Sequence, residues 1–170
     1  MRYKHEQGHR LPISSLQGVL LQHQQQEEEE QLQQQTLLTV SICGSYHRHL
    51  EQMKKSIAEC RQLGIKVLIP KYTSAKSETN GFVILRGENG SPRELQEKNF
   101  AAIANSSFVF VEDPHGYIGP STALEIGYAY AKGIPIYCRE KPKEYIFTLF
   151  TSFGKSLSEI KSIILEEDKR

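Results

Sequence analysis

The sequence is poor in cysteine, in net charge and in long apolar runs, and each shortage excludes a class of protein. Three cysteines in 170 residues, odd in number and without metal-ligand spacing, argue against a disulfide framework and predict a reducing, cytoplasmic location. A net charge of +1 gives no electrostatic reason to expect binding to a nucleic acid polymer. No apolar run approaches the roughly 20 residues that cross a bilayer, so we expect no membrane partner.

Residues 1–36 differ in composition from the rest of the chain. The tract 22–35 consists almost entirely of Gln and Glu, with very little apolar surface to bury. Such a tract predicts a low-complexity N-terminal arm that is solvated and either helical or disordered. A coiled-coil or partner-binding role for this arm is the alternative. We expect the folded domain to begin at Leu37 and to cover residues 37–170.

Strand-like and helix-like segments alternate after Leu37. Strands are predicted at 37–43, 66–70, 108–112 and 134–138, and residues 82–85 fit either a short edge strand or part of an insertion. Helices are predicted at 48–63, 92–105, 122–132, 143–150 and 156–167. This alternation predicts an α/β fold, a Rossmann-like (flavodoxin-like) doubly wound parallel sheet of about five strands in three α/β/α layers.

Two loops of unusual composition follow predicted strands. Ligands of such sheets bind at the carboxyl ends of the strands, near a switch in strand order. One loop is 43–49 (CGSYHRH), and the other is 113–125 (DPHGYIGPSTALE), which leads into a helix. If Ser121 caps that helix, Glu125 falls near the fourth helical position. The helix dipole would then keep its carboxylate ionised and available as a nucleophile.

The two loops resemble the signatures of the nucleoside 2-deoxyribosyltransferase superfamily, which includes the deoxynucleoside 5'-monophosphate N-glycosidases. The first-strand signature of that superfamily ends in a turn similar to Cys43-Gly44-Ser45. Its second signature is a Gly-x-x-x-Glu-x-Gly-x-Ala type of element, which resembles residues 121–129 (STALEIGYA). The helix-to-strand turn that follows, residues 132–136 (KGIPI), is also similar. The resemblance spans residues 37–138.

The resemblance implies cleavage of the N-glycosidic bond of a nucleoside or nucleoside 5'-monophosphate, by hydrolysis or by base exchange. Glu125 would attack the anomeric carbon and form a glycosyl-enzyme intermediate, as retaining glycosidases do, without a metal or other cofactor. The implied partner is a small-molecule nucleoside or nucleotide. Members of the superfamily form homodimers or larger homo-oligomers, and residues 145–150 (YIFTLF) fit either such an interface or a core helix.

Two positions depart from the superfamily pattern. Asn99 stands where the superfamily has an Asp that contacts the base, and an amide can hydrogen-bond a base but cannot take its proton. Gly119 stands where the nucleotide-cleaving members have a Ser that serves the phosphate, so Ser121 or Thr122 would have to replace it.

The remaining predicted site residues belong to the same loops and helix. Tyr128 follows Glu125 by three residues and could either orient its carboxylate or pack in the core. The other predicted substrate-binding residues are Gly44, Ser45, Tyr46, Arg48, Asp113 and Tyr117. Arg48 and the backbone N–H groups near it could hold a 5'-phosphate or a 5'-hydroxyl.

Two other functions stay open from the sequence. The same pocket could bind a nucleotide without catalysis, as a sensor module in which the Gln/Glu arm contacts a partner. A phosphoribohydrolase of the cytokinin-activating type is the third possibility. Its Gly-Gly-x-Gly-Thr-x-x-Glu motif partly overlaps residues 121–125, although the paired glycines are missing.

Overall fold

The computed structural model describes residues 22–25 and 37–167. The chain divides into two units, Met1–Thr36 and Leu37–Arg170. Residues 22–25 of the first unit are helical, and the rest of the predicted Gln/Glu arm lies outside the described residues. The second unit holds the predicted α/β domain.

Residues 37–167 form seven strands, five α-helices and one short 3-10 helix. The strands are β1 (Thr39–Gly44), β2 (Lys66–Ile69), β3 (Ala75–Thr79), β4 (Phe82–Leu85), β5 (Phe108–Glu112), β6 (Ile136–Cys138) and β7 (Ser152–Phe153). The α-helices are α1 (Tyr46–Gln62), α2 (Pro92–Ala104), α3 (Pro120–Ala131), α4 (Tyr145–Thr148) and α5 (Leu157–Glu167). The 3-10 helix is Pro114–Gly116.

The main sheet has five parallel strands in the order β2-β1-β5-β6-β7. Successive side chains of a strand point to opposite faces, so the sheet carries two cores. Phe108 and Phe110 pack with apolar side chains of α1 and α5. Val109 and Val111 pack with those of α2 and α3. The predicted three-layer Rossmann-like fold with a parallel sheet is therefore confirmed.

A β-hairpin stands apart from the main sheet. Strands β3 and β4 pair with each other antiparallel and form a separate two-stranded sheet. Their turn is Asn80-Gly81, where φ is positive at both residues (49° and 80°), as in the type I′ turns that suit tight hairpins. Residues 82–85 are therefore a short strand, and this strand belongs to the insertion and not to the edge of the main sheet.

The start of α3 differs from the prediction. Gly119, not Ser121, is the N-cap, and Pro120 takes the first helical position, where its missing N–H costs nothing. Glu125 is therefore the sixth residue of the helix. Free backbone N–H groups are found only in the first turn, and Glu125 lies beyond it. The predicted start of α2 is confirmed, because Ser91 and Glu94 form a reciprocal capping box.

Helix α4 is a short, exposed element rather than part of the core. Tyr145 is 75% exposed and Ile146 is 55% exposed, and none of the residues of α4 is buried. The core-helix alternative for residues 145–150 is therefore wrong, and the interface alternative stays a prediction. None of the helices in the described part of the chain is both long and apolar enough to cross a membrane.

Candidate functional site

A cavity of about 510 Å³ lies at the carboxyl ends of β1 and β5. The chain leaves β1 towards β2 on one side of the sheet, and β5 lies on the other, so the strand order switches here. The loops after β1 and β5, helix α2 and the β3–β4 hairpin surround the cavity. Its lining residues are Gly44, Ser45, Tyr46, His47, Arg48, Glu78, Asn80, Gly81, Phe82, Val83, Gln96, Asn99, Tyr117, Gly119, Pro120, Ser121, Thr122 and Glu125.

The carboxylate of Glu125 lies in this cavity and is held by three side chains. Its Oε1 atom accepts hydrogen bonds from Nε2 of Gln96 (3.0 Å) and from Nδ2 of Asn99 (3.2 Å). The thiol of Cys43, at the end of β1, also hydrogen-bonds to the carboxylate. Glu125 is only 6% exposed, so these bonds replace much of its hydration.

The ionisation of Glu125 differs from the expectation based on the helix dipole. Burial raises the pKa of Glu125 above its ordinary value, and the hydrogen bonds from Gln96, Cys43 and Asn99 lower it in part. The dipole argument required a carboxylate in the first turn, but Glu125 is the sixth residue of α3. Donor side chains of neighbouring elements therefore stabilise the charged form, and the end of its own helix does not.

Gln96 is a site residue that the sequence analysis missed. It lies on α2 three residues before Asn99, and residues at that spacing share one face of a helix. Helices α2 and α3 pack side by side, which brings this face against Glu125. The signal that could have found Gln96 is this spacing, once Asn99 is placed at the site.

The first loop supplies one wall of the cavity. Ser45 is the N-cap of α1, and Tyr46 is the first residue of that helix. The Arg48 guanidinium carbon lies 4.2 Å from the ring centroid of Tyr117, so the two loops meet through a cation–π contact. Gly44 has little space around it, because a Cβ atom there would lie 2.9 Å from the carbonyl oxygen of Glu112.

Ten of the twelve predicted site residues line the same cavity. They are Gly44, Ser45, Tyr46, Arg48, Asn99, Tyr117, Gly119, Ser121, Thr122 and Glu125. Tyr128 is not among them, since its ring stacks on Phe100 with centroids 4.5 Å apart and packs against the apolar core. A residue three positions after Glu125 lies on a neighbouring face of α3, which here meets α2. This geometry favours the core-packing alternative for Tyr128 over an orienting role.

Asp113 is the other predicted residue outside the cavity lining. Its side chain is fully buried at the end of β5, where Oδ1 accepts a hydrogen bond from the backbone N–H of Glu140 (3.0 Å). Oε2 of Glu140 in turn accepts the backbone N–H of His115 (3.0 Å). Asp113 therefore ties the loop after β5 to the segment after β6, and this loop carries Tyr117 into the cavity.

The β3–β4 hairpin supplies a wall that the sequence analysis did not predict. Glu78, Asn80 and Phe82 are among its lining residues. Nδ1 of His47, at the start of α1, lies 2.8 Å from Oε2 of Glu78 and ties the hairpin to the first loop. Local sequence carries no signal for this wall, because it depends on how the hairpin packs against α1.

Within the described residues, no three side chains of His, Cys, Asp or Glu come together as a metal ion would require.

The chain matches no protein-family model, and no curated protein matches it significantly. It shares its fold with a conserved protein from Enterococcus faecalis, with a TM-score of 0.54, 15% identity, and coverage of 77% of this chain and 99% of that one. A CMP N-glycosidase from Clostridium botulinum aligns with a TM-score of 0.46, 17% identity, and coverage of 75% and 98%. A 2-deoxyribosyltransferase from the psychrotolerant bacterium Bacillus psychrosaccharolyticus aligns with a TM-score of 0.48, 16% identity, and coverage of 72% and 90%.

The topology of the sheet and the likeness to the Enterococcus faecalis protein define the class of the domain, which is Rossmann-like α/β. At 15% identity, the likeness to the Enterococcus faecalis protein establishes the fold and not the activity. Membership of the nucleoside 2-deoxyribosyltransferase superfamily therefore stays a prediction from the sequence motifs.

Replacing Gln96 by Leu should raise the pKa of Glu125 further. The substitution removes a hydrogen bond that favours the carboxylate and leaves its burial unchanged. The measurement is a pH titration of the Glu125 side-chain carboxyl carbon by NMR. Gln52→Leu, at an exposed position of α1, is the matched control and should leave the titration unchanged. An equal midpoint in the Gln96→Leu and wild-type proteins would contradict this role for Gln96.

Asp113 should make the stability of the protein depend on pH. Burial raises the pKa of Asp113 from its ordinary value of 3.8 to about 7, and the nearby charges of Glu140 and Glu112 contribute. Because the folded-state pKa lies above the unfolded value, the contribution of Asp113 to stability is fully present below pH 3.8 and is lost as the pH rises through about 7. We expect Asp113→Asn to remove this part of the fall, which can reach about 1.4 kcal/mol per pH unit.

The measurement is chemical denaturation of the wild type and of Asp113→Asn at pH 5 and at pH 8. Asn keeps an oxygen that can accept the N–H of Glu140, so the variant isolates the charge. The wild type should lose more stability than the variant between the two pH values. Parallel losses would show that Asp113 does not titrate in this range.

Proposed function

We propose that this protein cleaves the N-glycosidic bond of a nucleoside or nucleoside 5'-monophosphate, by hydrolysis or base exchange, with Glu125 as the nucleophile. The observation that carries the proposal is the buried carboxylate of Glu125 in a cavity at the switch point of the sheet. Three side-chain donors hold it there. A carboxylate fixed at such a position can attack an anomeric carbon without a metal ion.

The amide donors Gln96 and Asn99 can hydrogen-bond both the free carboxylate of Glu125 and the glycosyl ester that it would form. Gln96 and Asn99 both bind Oε1, so this oxygen is the one that would become the carbonyl oxygen of the glycosyl ester. Oε2 would then form the bond to the sugar. A carbonyl oxygen still accepts hydrogen bonds, and the same donors would stabilise the carboxylate when it leaves again. The arrangement therefore serves formation and breakdown of the intermediate alike.

The wall of the cavity that is formed by the starts of α1 and α3 suits the 5' end of the substrate. Ser45, the N-cap of α1, makes no side-chain capping hydrogen bond, and Gly119, the N-cap of α3, has no side chain to make one. Backbone N–H groups at these two helix starts are therefore open to an oxygen-rich ligand. Arg48, Ser121 and Thr122 line the same cavity. A 5'-phosphate is the group that these donors and the positive charge of Arg48 would favour over a 5'-hydroxyl.

A non-catalytic nucleotide sensor is the second candidate, and one observation favours it. Burial raises the pKa of Glu125, which makes the neutral acid easier to form and weakens the nucleophile. A neutral Glu125 could hydrogen-bond a ligand without attacking it. A sensor should therefore keep its binding and function in Glu125→Gln, whereas an enzyme should lose turnover.

Base release tests the proposal directly. The purified wild type should liberate free base from at least one member of a panel of deoxynucleosides, ribonucleosides and their 5'-monophosphates, detected by chromatography. Glu125→Ala should lower the rate by at least about a thousandfold, because the nucleophile is lost. Glu51→Ala removes an exposed Glu of α1 that pairs with Lys54, and it should keep the wild-type rate.

Calorimetric titration of the same nucleotides into Glu125→Gln distinguishes the two candidates. Nucleotide binding by the wild type and by Glu125→Gln with equal affinity, without base release by either, would replace the enzyme by the sensor. Base release that persists in Glu125→Ala would exclude Glu125 as the nucleophile.

A further inference from the structure

We propose that His47, paired with Glu78, is the general acid that protonates the departing base. This role rests on the proposed function, because it concerns the same glycosidic bond. It adds a catalytic residue to the cavity and gives the β3–β4 hairpin a part in the reaction.

A departing base needs a proton donor. When the glycosidic bond breaks, its electron pair goes to a ring nitrogen of the base, and a positioned acid speeds such a step by about 10²–10⁴-fold. Asn99 cannot serve as the donor, because an amide does not give up a proton and its Nδ2 atom is committed to Glu125. A side-chain acid of this cavity must therefore be a residue other than Asn99.

Few side chains of the cavity are ionisable. They are Tyr46, His47, Arg48, Glu78, Tyr117 and Glu125. Glu125 is the proposed nucleophile, and a guanidinium does not release its proton in proteins. Phenols are far weaker acids than imidazolium. In addition, burial and the charge of Glu125 raise the pKa of Tyr46 well above its ordinary range. His47 and Glu78 remain.

The pairing of these two side chains is that of an oriented acid–base catalyst. Nδ1 of His47 lies 2.8 Å from Oε2 of Glu78, so Nδ1 carries the hydrogen and the carboxylate accepts it. Both side chains are exposed, and the bond sets the tautomer of the ring, which leaves Nε2 as the nitrogen that can exchange a proton with a ligand. A general acid needs the protonated ring before the reaction, and the carboxylate can accept the Nδ1 hydrogen of the ring in that form.

The charged groups around His47 come from two elements. Glu78 and Lys76 belong to β3, and Arg48 follows His47 on α1. Arg48 makes no ion pair within residues 37–167 and lies over the Tyr117 ring, whereas Glu78 contacts the imidazole directly. The nearest charge to the ring is therefore negative.

The proposed reaction balances in two steps. In the first step, Oε2 of Glu125 bonds to the anomeric carbon, the carbon–nitrogen bond breaks, and the Nε2 proton of His47 passes to the base. In the second step, a solvent water attacks the same carbon and gives one proton to the now neutral Nε2. The carbon–Oε2 bond breaks, and Glu125 returns as a carboxylate. The net reaction is hydrolysis, with His47 back in its protonated form.

His47→Asn tests this role, because Asn can keep the hydrogen bond to Glu78 but cannot transfer a proton. Two substrates are compared. One is a nucleoside or nucleotide that the wild type cleaves, and the other is the 4-nitrophenyl glycoside of the same sugar. The 4-nitrophenolate leaves without needing a proton. We expect kcat/KM, which reports formation of the intermediate and not its breakdown, to fall by about 10²–10⁴-fold with the nucleoside and by less than about tenfold with the aryl glycoside.

The pH profile gives a second readout that does not depend on the aryl glycoside. A general acid must be protonated, so wild-type activity on the nucleoside should fall as the pH rises, and this alkaline limb should disappear in His47→Asn.

Three results overturn the proposal in different ways. Equal losses on both substrates, with an unchanged alkaline limb, would assign His47 a structural or binding role. Full activity of His47→Asn on the nucleoside would remove it from the mechanism. A wild type that releases base from no substrate would overturn the proposed function itself, and the role of His47 with it.

Discussion

The hydrogen bonds from Gln96 and Asn99 to the buried carboxylate of Glu125 are the interaction on which the site depends. Burial of a carboxylate that is 6% exposed raises its pKa, and hydrogen bonds from these donors lower it and so favour the charged form that a nucleophile needs. Both donors come from α2, so the packing of α2 against α3 affects the ionisation of Glu125 as well as its position. The parallel sheet beneath the two helices holds them at this spacing.

The sequence was sufficient for the parts of the fold that have a strong local pattern. The apolar run of β5 and the Ser91–Glu94 capping box are local signals, and both are present as predicted. Strand β7 has only two residues and gives no periodicity to detect. The hairpin contains an Asn-Gly turn, but its place beside the cavity depends on contacts with α1.

The site, like the fold, was predictable where a local motif marks it and not where it depends on contacts between elements. Glu125 could be found from its motif, and most of its predicted neighbours line one cavity with it. Gln96 could have been found only from its spacing to Asn99. The pairing of His47 with Glu78 could not be predicted, because it depends on how α1 and the hairpin meet. The error over Ser121 has a local cause: Pro120 already fits the first helical position, which moves the cap back to Gly119.

Covalent trapping tests the central claim, that Glu125 is a nucleophile, most directly. A nucleoside analogue with fluorine at C2 of the sugar slows breakdown of a glycosyl-enzyme, so the intermediate should accumulate. Peptide mass spectrometry of the trapped wild-type protein should find the sugar on Glu125, and Glu125→Gln should carry no sugar. Release of base with the sugar on another residue, or with no sugar attached to the protein, would contradict the account.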